Sequence, residues 1–169
     1  MNIIKKPALF WLFASLLISG ASLAMESEQD VTIKHSSIIL KRSSILDFSN
    51  CSISDAKACK ISEIIKDSKI INQLIFNGAN ISNKGISSLA NSIGSLKNLS
   101  HLHLCNTNVD EEGFSLLFPA LKEINSLVFI DIRGNQLGST GVQLLSDLLT
   151  SKPALTIHGP SMKNILDEF

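Results

Sequence analysis

The chain contains no tyrosine and a single tryptophan, Trp11, and aromatic residues make up 5% of it. Trp, Tyr and Arg anchor most protein interfaces, so any tight contact here has to be built largely without two of its usual side chains. Cysteine is also scarce. Cys51, Cys59 and Cys105 are an odd count that permits at most one internal disulfide, so a disulfide framework does not hold the fold together. Neither sign of charge is in excess, with 15 basic and 15 acidic side chains. That balance argues against an electrostatic nucleic-acid binder. No phosphate-cradling glycine loop, carboxylate pair or serine triad pattern is present, and nothing in the sequence calls for a cofactor. The longest apolar run, Ala8 to Ser19, is about a dozen residues, short of the roughly 20 needed to span a bilayer.

That run follows Lys5 and Lys6 and leads into Gly20 and the small residues Ala21-Ser22-Leu23-Ala24, with acidic Glu26, Glu28 and Asp30 beyond. This order predicts a secretory signal peptide over 1–24, cleaved after Ala24, and a secreted or periplasmic protein. Membrane attachment enters only if the leader is retained as an anchor. Without Lys5 and Lys6 the remainder carries 13 basic against 15 acidic side chains, a formal charge of −2. Its length suits one domain with a real core.

Self-similarity organises the chain from residue 43 onward. "SSILDFSNCSISDAKACKISEII", "INQLIFNGANISNKGISSLANSI", "LSHLHLCNTNVDEEGFSLLFPAL" and "LVFIDIRGNQLGSTGVQLLSDLL" align without a gap at a period of 28 residues. Leu46, Leu74, Leu102 and Ile130 form one column; Phe48, Phe76, Leu104 and Ile132 form a second. Ile53, Ile81, Val109 and Leu137 form a third, followed by Gly85, Gly113 and Gly141. Within each unit apolar residues first alternate with period 2, then recur at spacings of three and four, which predicts a short strand followed by a helix. Asp110, Ser139 and Ser82 or Asn83 stand where an oxygen caps the helical half. A unit of this kind cannot bury its apolar face alone, so neighbours must stack.

The pattern L-x-x-L-x-L-x-x-(N/C)-x-L with a following Gly and helical L-x-x-x-L resembles leucine-rich repeats, and the 28-residue period resembles the ribonuclease-inhibitor-type subfamily. The resemblance implies an α/β solenoid: a short arc with a concave parallel sheet and convex helices. It divides the chain into a signal peptide (1–24), an N-terminal cap (25–42), four repeats (43–154) and a partial repeat with a C-terminal cap (155–169). In the last segment Leu155 opens a fifth unit, His158 falls in the apolar column, Gly159-Pro160 break the register, and "SMKNILDEF" reads as a capping helix. The resemblance also implies that Cys51, Ala79, Thr107 and Asn135 form a polar ladder closing the turn after each strand. Ala79 has no side-chain polar atom, so the second turn is expected to be held less well.

Side chains alternate faces along a strand, so the residues between the apolar columns lie on the concave side. These include Gln73, Ile75, His101, His103, Cys105, Phe129, Asp131 and Arg133. Strands pair about 4.8 Å apart, which sets Asp131 on one side of His103 and Ile75 on the other. The leading expectation is a non-enzymatic module that binds a protein through Gln73, Ile75, His101, His103, Phe129, Asp131 and Arg133; for a host-associated bacterial source the partner is a host protein. One alternative is a metal site on "HLHLC", although the segment lacks a recognised four-ligand set. The other is a structural accessory role at the cell envelope. A nucleophile at Cys105 is disfavoured, because successive outward residues sit about 7 Å apart along a strand. A Cys51–Cys59 bridge is left open; Cys51 and Cys105, two units apart, are too distant to pair.

Overall fold

Every repeat spends three residues on a strand and eleven to fourteen on a helix, and the strands add to one sheet in the order in which the chain makes them. The computed structural model describes residues 43–66 and 68–159. The elements are β1 (Ile45–Asp47), β2 (Ser52–Ile53), α1 (Asp55–Ile65), β3 (Gln73–Ile75), β4 (Asn80–Ile81), α2 (Asn83–Gly94), β5 (His101–His103), α3 (Glu111–Glu123), β6 (Phe129–Asp131), α4 (Gly138–Ser151) and β7 (Thr156–His158). The expected leader, N-terminal cap and C-terminal helix fall outside the described residues.

The main sheet is parallel in the order β1-β3-β5-β6-β7. Its register steps by 28 residues through Leu46, Leu74, Leu102 and Ile130. A second pair, β2 with β4, forms past the turn, and an isolated bridge from Asp110 to Gln136 continues that line. Each helix packs on the helix of the next repeat, all on one side of the sheet. The apolar columns close the space between: Leu46, Leu74, Leu102, Ile130, Phe76, Phe114, Leu89 and Leu117 are all buried. Phe48 and Phe76 stack with ring centroids 5.2 Å apart.

The last strand departs from the period. Ile130 pairs with Ile157 and Asp131 with His158, a step of 27 rather than 28 residues. Leu155 keeps the buried position of Leu127, so the chain is one residue short between Leu155 and the strand. The expectation that His158 occupies the apolar column is therefore corrected. Ile157 points inward and packs against the core, while His158 is exposed on the open face.

The turn leaving each main-sheet strand requires a left-handed residue. Asn50, Gly78, Asn106 and Gly134 fill that column with φ of 56°, 67°, 52° and 73°. Only glycine and, less readily, asparagine take this conformation at low cost. Their alternation has a further cause. A Cβ on Gly78 would run into the Asn50 side-chain oxygen, and one on Gly134 into that of Asn106. Each asparagine thus lies in the space its neighbouring glycine leaves open.

The ladder column is uneven in the way its composition dictates. Asn135 Oδ1 accepts from the N–H groups of Thr107 and Val109, and its Nδ2 donates to the carbonyls of Leu104 and Ile132. Thr107 Oγ1 donates to Leu104 O at 2.8 Å. Ala79, fully buried, offers nothing comparable, and its turn is closed by its own backbone N–H on Phe76 O at 2.8 Å.

Helix starts follow a column too. The oxygens of Ser54, Ser82 and Asp110 accept from the N–H groups of Lys57, Gly85 and Gly113, satisfying donors that have no partner within the helix. The Gly113 N–H holds the exposed Asp110 carboxyl below its usual range. Of the two candidates for α2 it is Ser82, not Asn83, that caps. Ser139 caps nothing: in the fourth repeat this column holds Gly138, and α4 begins without a side-chain cap.

Candidate functional site

Leu102 and Ile130, both fully buried, fix β5 and β6 from below, and strand alternation then turns His101, His103 and Phe129 to the open side. The ring centroids of His101 and Phe129 are 5.7 Å apart and those of His103 and Phe129 5.2 Å. The two imidazoles lie nearly parallel, 6.4 Å apart. His158, brought here by the shortened last unit, meets Phe129 edge-on at 4.9 Å. Sequence reasoning missed His158. The signal it left is the alternation Thr156-Ile157-His158, which fits the sheet if one residue is dropped from the period.

Hydrogen bonds orient both central imidazoles. The Ser100 hydroxyl donates to Asn72 O at 2.9 Å, so its oxygen is left to accept from His101 Nδ1–H at 2.8 Å. Gln73 Nε2 lies 2.9 Å from His103 Nε2. An amide nitrogen only donates, so His103 Nε2 accepts and its proton sits on Nδ1. Burial pushes the His103 pKa below 6.5; the Asp131 carboxylate opposes this, while His101 and Arg133 reinforce it.

Asp131 and Arg133 close on each other. Arg133 Nε and Nη2 donate to Asp131 Oδ1 and Oδ2 at 2.9 and 2.7 Å, and the Arg133 backbone N–H adds a bond to Oδ1. Asp131 is consequently only 4% exposed. It faces the open side in register, as expected, yet it is covered and does not present a surface for a partner to touch. Arg133, with a side chain 59% exposed, does. Gln73 and Ile75 are half-buried on the neighbouring strand, Ile75 directly beside His103.

The Arg133 bonds hold the Asp131 carboxyl below its usual range. A carboxyl lowered by folding contributes stability that is present above the ordinary value of 3.8 and lost as pH falls through the folded-state value. Arg133→Ala removes the main cause, so most of that contribution is missing and the variant enters the acid titration less stable. Far-ultraviolet circular dichroism during acid titration should show the variant unfolding at higher pH than the parent; coincident curves would mean that Arg133 does not set the Asp131 acidity.

The geometry does not favour the metal alternative. Among the described residues no three His, Cys, Asp or Glu side chains group so as to hold a metal ion, and His103 Nε2 and both Asp131 oxygens already have partners. Cys105 takes a hydrogen bond from Asn106 Nδ2 at 3.3 Å. Cys51, Cys59 and Cys105 are all free thiols, so Cys51 and Cys59 do not pair. No helix among the described residues is long and apolar enough to cross a membrane.

No family model matches the sequence, and no curated protein matches it. Among solved structures, the chain is similar to "Leiomodin-1 Actin-Binding Site 2 (ABS2)", with a TM-score of 0.66, 16% identity, and coverage of 80% of this chain and 80% of that one. At this identity the likeness is one of fold, and it fits a leucine-rich-repeat-like arrangement of parallel strands on one side and helices on the other.

Proposed function

We propose that the chain is an exported, non-enzymatic leucine-rich-repeat protein of the ribonuclease-inhibitor type, whose four repeats form a short arc and which binds another protein through the open sheet face. The observation that carries this reading is the cluster of Phe129 with His101, His103 and His158, flanked by the exposed Arg133. Aromatic rings and arginine on a rigid sheet are the side chains that dominate protein interfaces. The unbroken 28-residue period of the first four repeats supports the subfamily, and the residue order over 1–24 supports export. The solved structure of similar fold is named as an actin-binding site, which supports a protein ligand in general without naming this one. For a host-associated source, the partner is a host protein.

Affinity capture with the full chain tests the reading, comparing the wild type, a His101/His103/Phe129/Arg133-to-alanine variant, and the wild type with chelator. A specific partner lost in the variant and retained with chelator is expected. Loss with chelator would return "HLHLC" to a metal role, and equal capture by the variant would move recognition off this face.

A further inference from the structure

Three of the four histidines in the chain converge on one ring, Phe129. Uncharged, they extend an aromatic surface; protonated, they are cations crowded onto each other. What surrounds His103 decides which state that ring favours. On β3, Gln73 donates into His103 Nε2, so a proton arriving there would set one N–H against another. On β6, Asp131 stands between His103 and His158 in register, but Arg133 occupies both of its oxygens. The carboxylate still favours a protonated His103, but burial of the ring outweighs it, and Arg133 and His101 add to the effect of burial. On β1, Asp47 is the other acidic group acting on His103, from beyond Ile75, and its pull ranks behind the opposing effects of His101 and Arg133. The remaining titratable neighbours are Cys105, two residues along the same chain segment, and His158 on β7.

We propose that His103 is an acid-sensitive switch within this cluster: at neutral pH its uncharged ring accepts from Gln73 and packs beside Phe129, and as the solution is acidified the ring becomes cationic and the Gln73–His103 bond breaks. Given the reading that this face binds a protein, the segment it seats at neutral pH is uncharged and aromatic or aliphatic, and acid releases it. Covering His103 with such a segment desolvates its ring further and so favours its neutral form. The sign for the fold is the same. A base whose pKa folding depresses leaves stability complete above its unfolded value of 6.5, and diminishing as pH falls through 6.5 toward the folded value.

Long-range proton–nitrogen NMR of the labelled full chain reads this without any partner. The His103 ring should titrate below 6.5, and the Gln73 side-chain amide signals should move with the same midpoint. Gln73→Leu, which keeps bulk and removes the donor, should shift the His103 midpoint upward while the circular dichroism spectrum stays that of the parent; His103→Gln assigns the resonance. A His103 midpoint at or above 6.5, or Gln73 signals that ignore it, would overturn the switch. Failure to capture a partner bears on the binding reading and leaves this titration intact, whereas an ordinary titration removes the switch and leaves partner binding standing.

Discussion

Asn135→Ala should destabilise the protein by about 3–5 kcal/mol, more than any other single polar substitution in the described residues. Its side chain is buried and ties two repeats together, accepting from Thr107 N and Val109 N at 3.1 Å each and donating to Leu104 O at 2.7 Å and Ile132 O at 3.0 Å. Leu104 O keeps its bond from Thr107 Oγ1. The other three groups lose their side-chain partner inside the turn, and each buried polar group left unsatisfied costs about 1–3 kcal/mol. Some relief through water entering the emptied space sets the total below the simple sum. Urea unfolding followed by circular dichroism should show a lower midpoint with an unchanged slope. A loss under about 1 kcal/mol would mean that the turn backbones already reach solvent, contrary to the burial of Thr107 and Asn135. The second repeat supplies an internal contrast, since Ala79 holds the equivalent place without a side-chain polar atom and its own N–H bonds Phe76 O.

Leu102→Ala should cost about 3–4 kcal/mol and loosen the candidate site with it. Leu102 is fully buried between Leu74 and Ile130 in register, and truncating a leucine so placed typically removes about 2.7–5 kcal/mol through lost transfer energy and a residual cavity. It is also the inward residue between His101 and His103, so it anchors the strand that aims both imidazoles. Stability should fall in urea titration and the His103–Gln73 NMR coupling of midpoints should weaken, while Leu102→Met, which nearly conserves volume, should cost less than about 1.5 kcal/mol. An exposed leucine gives the control: Leu116→Ala, 39% exposed on the helical side, should stay within about 0.5 kcal/mol of the parent. Equal losses at Leu102 and Leu116 would contradict the assignment of the two faces.

Much of the fold was legible in the residues because a repeat states its register many times. The column Leu46, Leu74, Leu102, Ile130 names the inward positions, and strand alternation then names His101, His103 and Phe129 as outward with no tertiary information. The Asn/Gly column at 50, 78, 106 and 134 was equally readable, as a position demanding left-handed backbone, but it carries no apolar signal and hydrophobic periodicity passes over it. The failures have a common physical origin: each lies where one repeat ends or where one side chain answers another. Ser139 looks like a cap, yet Gly138 holds the cap column and α4 starts without one. His158 looks inward by counting, yet a single missing residue flips a strand's faces.

The sequence by itself determined the strand–helix alternation, the parallel order of the sheet and the face on which each strand residue stands, because these follow from apolar spacing repeated four times. Only the tertiary structure decided what the open face is chemically. It folded Arg133 back over Asp131, turned the Gln73 amide into His103, and slid β7 by one residue so that His158 joined Phe129. Those outcomes depend on side-chain rotamers and on where the final strand settles against its neighbour, which are fixed by packing between repeats and not by the period within them.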